Sequence, residues 1–184
     1  MHRVVFINKL DTERAEFDQA LSDLQDKFTE SFIPIAIPIA GNEGYRGVVD
    51  LIENKAYLIP DGTVEKGTDI PEDMKDIVEE YRSSLIETAA EGDDALMEKY
   101  FEEETLSEDE ILSGLRAAFS ENKFVPVLCG AAELCSGIAP ILSFASATTP
   151  SPANAIETAI DVDDAEQEIK ITESGDPSCY CFKT

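Results

Sequence analysis

The apolar positions predict two buried strands that lie far apart along the chain. One is Val4-Val5-Phe6-Ile7 and the other runs from Phe124 to Cys129. Continuous apolar runs of this kind are typical of parallel strands that are covered on both faces. Asn8-Lys9-Leu10-Asp11 follows the first run directly, and Gly130-Ala131-Ala132 follows the second. The pattern therefore predicts a parallel α/β sheet, and ligands bind such sheets at the carboxyl ends of the strands.

The segment after the first strand has a helical pattern and then a strict alternation. Helical periodicity runs from Thr12, a candidate N-cap, to about Phe28. From Phe32 to Ile39 every second residue is isoleucine, which predicts a single strand with one buried face. Pro34 and Pro38 place that strand at the edge of a sheet, because proline cannot donate a ladder hydrogen bond.

The next residues predict a small antiparallel sheet followed by three helices. Val48 to Ile52 and Lys55 to Ile59 have strand patterns, and Asp61-Gly62 is typical of a hairpin turn. The first helix carries the apolar stripe Met74, Ile77, Val78, Tyr81 and Leu85. In the second, Asp93 or Asp94 is a candidate N-cap, and Leu96, Met97, Tyr100 and Phe101 are expected to be buried. Ser107 and Glu110 have the spacing of a capping box at the start of the third.

The rest of the chain predicts a second strand-turn-helix unit and then a change of character. A proline inside the second buried strand, Pro126, is expected only at an edge or a bulge. A helix begins near Gly137 and is stopped by Pro150-Ser151-Pro152. We interpret residues 151–184, which are rich in acidic residues, as a linker and the first strand or strands of a truncated domain.

Composition excludes several classes of function. Among 184 residues, 39 are Asp or Glu and 14 are Lys or Arg, giving a formal charge of −25. This charge repels phosphate backbones, so direct binding of nucleic acid is not expected. No apolar run approaches the roughly 18 residues of a membrane span, and no signal peptide opens the chain, which indicates a cytoplasmic protein.

The cysteines do not predict a metal site. Cys129, Cys135, Cys179 and Cys181 have no zinc-finger or ribbon spacing, and the single histidine, His2, lies far from them in sequence. Cys129 falls within an apolar strand, so we expect it to be a small buried thiol.

The motif after the first strand has a specific chemical meaning. A carboxylate at Asp11 can accept hydrogen bonds from guanine N1–H and the N2 amino group together, and adenine offers no such donor pair. The alternative is an ordinary solvated turn. No G-x-x-x-x-G-K-[ST] phosphate loop occurs in the sequence, so the chain is either not a nucleotide domain or a fragment that begins late.

The distance between the two turns indicates an insertion. Asn8 and Ala131 are 123 positions apart. A βαβ crossover needs about 30 residues, so roughly ninety are surplus. They form a coherent block of strands and then helices, which we interpret as an inserted α+β subdomain spanning residues 31–122.

The layout resembles the translation elongation factor G family, and in particular its elongation-factor-G-like bacterial members. The similarity rests on the Asn8 to Asp11 motif, on Gly47-Val48-Val49-Asp50-Leu51-Ile52, on Cys129-Gly130-Ala131-Ala132 and on Pro150-Ser151-Pro152. It implies a partial P-loop GTPase (Rossmann-like) sheet formed by residues 1–30 and 123–150. It also implies the start of a β-barrel domain in residues 151–184, with Cys181 to Thr184 in its first strand.

The resemblance also implies roles for individual residues. Asp11 would bind guanine N1 and N2, Asn8 would contact the base edge and tie neighbouring loops together, and Lys9 would lay its aliphatic stem over the base. Ala131, where the family usually has Ser, and Ala132 would complete the guanine site, with the backbone N–H at Ala131 meeting guanine O6. No catalytic residue is expected in this segment.

The same resemblance implies what the chain lacks and what it contacts. The ligand is GTP or GDP, but the phosphate loop, the switches and the Mg²⁺ ligands would lie upstream of Met1, so this segment alone should be an inactive part of a ribosome-dependent GTPase. The expected partner is the ribosome, with the acidic helix from Glu72 to Glu91 facing the ribosomal stalk protein. The alternatives are a non-catalytic acidic interaction module and a related factor, such as a release-factor recycler or a ribosome-protection protein.

Overall fold

The computed structural model describes residues 2–41, 44–59, 67–149, 151, 156–160 and 166–170. The fold is mixed α/β, as predicted, and the chain forms two compact units, Met1–Thr148 and Thr149–Thr184. In chain order the strands and α-helices are β1 (Val5–Ile7), α1 (Phe17–Lys27), β2 (Phe32–Pro34), β3 (Ala36–Gly41), β4 (Gly44–Asp50), β5 (Lys55–Leu58), β6 (Gly67–Thr68), α2 (Lys75–Ala90), α3 (Asp94–Glu103), α4 (Glu108–Ser120), β7 (Val125–Cys129), α5 (Ile138–Thr148), β8 (Ile156–Ile160) and β9 (Glu166–Lys170).

The parallel sheet has the order β1-β7-β2, with β7 in the centre. All five residues of β7 are buried, so the predicted strand covered on both faces is confirmed. The expectation that Pro126 needs an edge or a bulge is wrong. On the β2 side, Val125 N–H donates to Ser31 and Val127 accepts from Ile35. Pro126 therefore faces the β1 side, where pairing begins only at Val127, and its missing N–H costs no ladder bond.

The predicted single strand from Phe32 to Ile39 is wrong, because its two halves belong to different sheets. β2 pairs parallel with β7, whereas β3 pairs antiparallel with β4. Ile35 lies at the crossing: its N–H donates to Val127 O at 2.8 Å and its carbonyl accepts from Leu51 N–H at 2.9 Å. The alternation continues through this point, so the sequence pattern does not reveal the break. Both halves are edge strands, as the two prolines predicted.

The first helix begins at Phe17, so the predicted N-cap at Thr12 is wrong. Thr12 closes a turn instead, with both its N–H and its hydroxyl donating to Lys9 O, at 3.2 and 2.8 Å. Phe28 follows the end of α1 and is 54% exposed, so it does not continue the buried stripe of Phe17 and Leu21.

The residues between β2 and β7 form the predicted antiparallel sheet, of order β3-β4-β5-β6, and three helices. The capping box of Ser107 and Glu110 is present at the start of α4, and Asp93 caps α3 through the Ala95 N–H. The burial predictions are wrong for Ile77 and Phe101, which are 46% and 77% exposed. Leu96, Met97 and Tyr100 are only partly buried, and α3 has no fully buried residue. The predicted Asp61-Gly62 turn lies outside the described residues.

The helices α2 and α4 approach each other unusually closely. Gly114 lies inside α4, where glycine is unfavourable, but a Cβ added there would lie 2.1 Å from the Ala89 carbonyl oxygen. A Cβ on Gly92 would lie 2.2 Å from the carbonyl oxygen of Gly114. Glycine is therefore needed at both positions for backbone contact, and the helix-propensity cost of Gly114 is offset by close packing.

In the second unit β8 pairs antiparallel with β9. The expected strand from Cys181 to Thr184 lies outside the described residues. Within the described part of the chain, no helix is long and apolar enough to cross a membrane.

Candidate functional site

The two predicted loops lie side by side at the carboxyl end of the parallel sheet. β1 and β7 are neighbours, and Ile7 pairs with Cys129, so both chains leave the sheet at the same level. Two backbone bonds join the loops, from Gly130 N–H to Ile7 O at 3.1 Å and from Leu10 N–H to Gly130 O at 3.2 Å. Residues 123 positions apart in sequence thus form one surface.

The side chain of Asn8 connects these loops. Its Oδ1 accepts hydrogen bonds from Lys9 N–H at 2.8 Å and from Ala132 N–H at 3.0 Å. The Asn8 amide nitrogen, which can donate two hydrogen bonds, has no partner among the described residues. Asn8 therefore fixes the spacing of the loops through its oxygen while its donor remains available to a ligand.

Lys9 has a backbone conformation that few non-glycine residues adopt. Its φ is +63°, in the left-handed region. This conformation costs about 1–2 kcal/mol for an L-residue, and here the hydroxyl of Thr12 stabilises it by donating to Lys9 O. The Lys9 side chain is exposed, whereas Leu10 is buried and anchors the loop. Strained residues of this kind cluster at ligand sites.

Asp11 is exposed at the end of the same loop. Its carboxylate makes no hydrogen bond or ion pair with any residue in the described part of the chain. Both carboxylate oxygens can therefore accept hydrogen bonds from a ligand.

The two alanines of the second loop have different environments. Ala131 is buried, and its N–H donates to Ser136 O at 3.1 Å while its carbonyl accepts from Ser136 N–H at 3.1 Å. The expectation that the Ala131 N–H is the donor to a base is therefore wrong, because Ala131 is buried and its N–H is directed at Ser136 O within its own loop. Ala132 is exposed, and its N–H points at the Asn8 side chain. The N–H at the mouth of the site thus belongs to Ala132.

The residues from Gly130 to Gly137 form a tightly closed loop. A Cβ on Gly130 would lie 2.3 Å from Ser136 O, and Gly137 has a φ of +83°. The hydroxyl of Tyr45, on β4, shares a 2.8 Å hydrogen bond with Ser136 Oγ. The sequence analysis missed both Ser136 and Tyr45, and no spacing signal links two residues 91 positions apart.

Two carboxyl groups with large pKa shifts lie outside these loops. Burial raises the pKa of Asp50 to about 6, although its carboxylate accepts hydrogen bonds from the N–H groups of Ile52 and Glu53. A hydrogen bond from Lys99 lowers the pKa of Glu110 to about 2.

Below the loops, burial raises the pKa of the Cys129 thiol. Its Sγ lies 3.4 Å from the carbonyl oxygen of Ala36, as a hydrogen-bond donor. Cys129 is a buried packing group, as predicted. Asp50, Glu110 and Cys129 all lie outside the two loops.

The described residues contain no group of three or more His, Cys, Asp or Glu side chains that could hold a metal ion. The exposed polar groups of the two loops include the Asn8 carboxamide, the Asp11 carboxylate and the ammonium group of Lys9. The carboxamide and the carboxylate can hydrogen-bond a planar base with both donors and acceptors.

Comparison with known proteins supports the fold. No family model matches the sequence. A crystal structure of a protein from Thermus thermophilus matches with a TM-score of 0.72 at 24% identity, covering 88% of this chain and 26% of the Thermus protein. This chain thus shares the fold of part of a longer protein and spans about a quarter of that protein's length.

Proposed function

We propose that this chain is the guanine-recognition segment of a ribosome-dependent translational GTPase of the elongation factor G type. The observation that carries the proposal is the bond from Ala132 N–H to Asn8 Oδ1, which unites two loops from opposite sides of a long insertion. The resemblance of the Asn8 to Asp11 motif and of the order of the following segments supplies the family.

The proposed site binds guanine through four residues. Asp11 accepts from N1–H and the N2 amino group, and the Asn8 amide nitrogen donates to the base edge. Ala132 N–H, which already donates to Asn8 Oδ1, donates to O6 as the second branch of a bifurcated bond, and the stem of Lys9 covers one face of the ring. Because Ala132 N–H and Asn8 are bonded to each other before the ligand arrives, the loops are preorganised and the ordering cost of binding is reduced.

The chain supplies base recognition without the chemistry of hydrolysis. Phosphoryl transfer depends on a phosphate loop, a Mg²⁺ ion and a positioned water, and the sequence contains no phosphate-loop motif. We expect the described loops to bind GTP and GDP equally, since both share the base, and we expect no hydrolysis by this chain alone.

A nuclear magnetic resonance titration of the chain with GDP and ADP tests the proposal. We expect GDP to bind more weakly than micromolar and to shift the amide signals of Asn8 to Asp11 and of Ala132, whereas ADP should leave them unchanged. Equal shifts with both nucleotides, or none with either, would refute guanine recognition. That outcome would favour the non-catalytic acidic module.

Substitution of Asp11 by Asn tests the role of the carboxylate. Asn presents an N–H2 group to the base, which fits the C2 carbonyl of xanthine rather than the amino group of guanine. Losing hydrogen bonds to a charged acceptor, at about 1.5–3 kcal/mol, corresponds to a roughly 10- to 100-fold weaker GDP affinity. Xanthosine diphosphate should gain affinity, and Glu13→Gln, at another exposed carboxylate of the same turn, should change neither.

The inserted helices supply the proposed partner surface. Asp76, Glu79 and Glu80 are exposed on α2, and we propose that they face the ribosomal stalk protein. Charge reversal of Asp76 and Glu79 should weaken binding of purified stalk protein and reduce its salt dependence. Binding that is indifferent to these changes would remove the stalk assignment and leave the guanine site untouched.

A further inference from the structure

Tyr45 connects the inserted sheet to the loop that presents Ala132. Its hydroxyl lies 2.8 Å from Ser136 Oγ, and either hydroxyl can be the donor. Ser136 is fully buried, with 0% of its surface exposed. A buried hydroxyl without a partner is costly, so Ser136 depends on a hydrogen bond from its surroundings. Tyr45 provides one from the other sheet of the same compact unit.

Ser136 in turn holds the backbone of Ala131. The two residues exchange a pair of backbone hydrogen bonds, each 3.1 Å long. From Ala131 the chain enters a short 3₁₀ turn, Ala132–Leu134, whose backbone bonds run from Leu134 N–H to Ala131 O and from Cys135 N–H to Ala132 O. The carbonyl of Ala132 is therefore held within the loop, and its N–H is left facing Asn8.

The backbone around Tyr45 is specialised to place this residue. The pairing of β3 with β4 shifts register between Ile39 and Ala40, so Arg46 is an extra residue next to Tyr45. Gly47, beyond the bulge, has a φ of +148°, and a Cβ there would lie 2.2 Å from Tyr57 O. Bulges of this kind redirect side chains and are frequent beside functional sites.

We propose that Tyr45 is a positioning residue that sets the orientation of the Ala132 N–H toward the guanine O6 through Ser136 and Ala131. This inference rests on the proposed guanine site. Tyr45 does not touch the base; it acts by fixing the loop, and loss of its hydroxyl loosens the loop without removing any group that contacts the ligand.

The first test needs no nucleotide. Tyr45→Phe keeps the ring and removes the hydroxyl, so the amide protons of Ala131 and Ser136 should exchange with solvent several-fold faster than in the unsubstituted chain. The matched control is Tyr57→Phe on β5, which removes a hydroxyl that donates to Glu53 at 2.6 Å. Equal exchange of the Ala131 and Ser136 amides in both variants would overturn the inference, whether or not the chain binds guanine.

The second test uses analogues that separate the two edges of the base. Tyr45→Phe should weaken GDP binding by about two- to tenfold, the range expected for one hydrogen bond. It should reduce the preference for GDP over 6-thio-GDP, which has a poor acceptor at position 6. The preference for GDP over IDP, which lacks the N2 amino group read by Asp11, should not change.

A double-mutant comparison tests whether Tyr45 and Ser136 act through one shared hydrogen bond. Ser136→Ala should resemble Tyr45→Phe, and the two together should cost no more than either alone, since both remove the same hydrogen bond. Additive losses, or a uniform loss of preference for both analogues, would show that Tyr45 stabilises the fold rather than the loop. Failure of the unsubstituted chain to bind GDP would refute the proposed function and with it the role of Ala132 N–H at guanine O6. The exchange test would still decide whether Tyr45 fixes the loop.

Discussion

The contact between α2 and α4 predicts that Gly114→Ala lowers the free energy of unfolding, whereas helix propensity alone predicts that it raises it. Gly114 lies in the interior of α4, where Ala is favoured over Gly by about 1 kcal/mol. In this fold, however, the new Cβ would lie 2.1 Å from Ala89 O, 2.7 Å from Ala89 C and 3.0 Å from Leu96 Cδ1. The first two are backbone atoms, which cannot rotate away, so the helices must separate.

The size of the loss follows from these two opposing effects. Overpacking a core costs about 1–3 kcal/mol, and a clash with rigid backbone belongs at the upper end of that range. After subtraction of the propensity gain, Gly114→Ala should lower the free energy of unfolding by about 2 kcal/mol. In a protein of this size that corresponds to a fall in Tm of about 4–8 °C.

Urea unfolding followed by circular dichroism measures this difference directly. The matched control is Ser113→Ala, at an exposed position of the same helix, which should gain about 0.5 kcal/mol from propensity alone. A Gly114→Ala variant as stable as Ser113→Ala would show that the helices do not approach this closely. It would also remove the reason given for glycine at position 92.

Two further predictions concern buried and capping groups. The raised pKa of Asp50, about 6 against an ordinary value of 3.8, means that the folded state binds a proton more tightly than the unfolded state. Stability from this group is therefore full below pH 4 and falls by about 3 kcal/mol as pH rises through 6. In Asp50→Asn this decline should be absent, and parallel pH profiles of unfolding for the two proteins would contradict the assignment. Ser107→Ala should cost about 1 kcal/mol in the same urea assay through loss of the N-cap of α4, while a Ser107→Ala variant as stable as Ser113→Ala would show that the cap contributes nothing.

Sequence patterns predicted the elements whose stability comes from local periodicity. The apolar run of β7 and the capping box of Ser107 are signals carried by neighbouring residues, and both are present. The patterns failed where tertiary contacts decide. Ile35 continues an unbroken alternation yet passes from one sheet to another, and Thr12 closes the loop at Lys9 instead of capping a helix.

The candidate site divides in the same way. Adjacency of the two loops could be predicted, because parallel strands deliver their carboxyl ends to one edge of a sheet. The availability of individual donors could not, since Ala131 and Ala132 are the same residue type and differ through their partners, Ser136 for Ala131 and Asn8 for Ala132. No neighbouring residue of Tyr45 indicates its role, because its partner Ser136 is 91 positions away in sequence.

The insertion is attached to the central strand rather than to its own two ends alone. Ile35 N–H donates to Val127 O, the thiol of Cys129 donates to Ala36 O, and Tyr45 bonds Ser136 beyond the end of the strand. These contacts follow β7 from its middle to the loop at its carboxyl end. Because of these cross-contacts, the sheet β3-β4-β5-β6 and the loop that carries Ala132 belong to one compact unit.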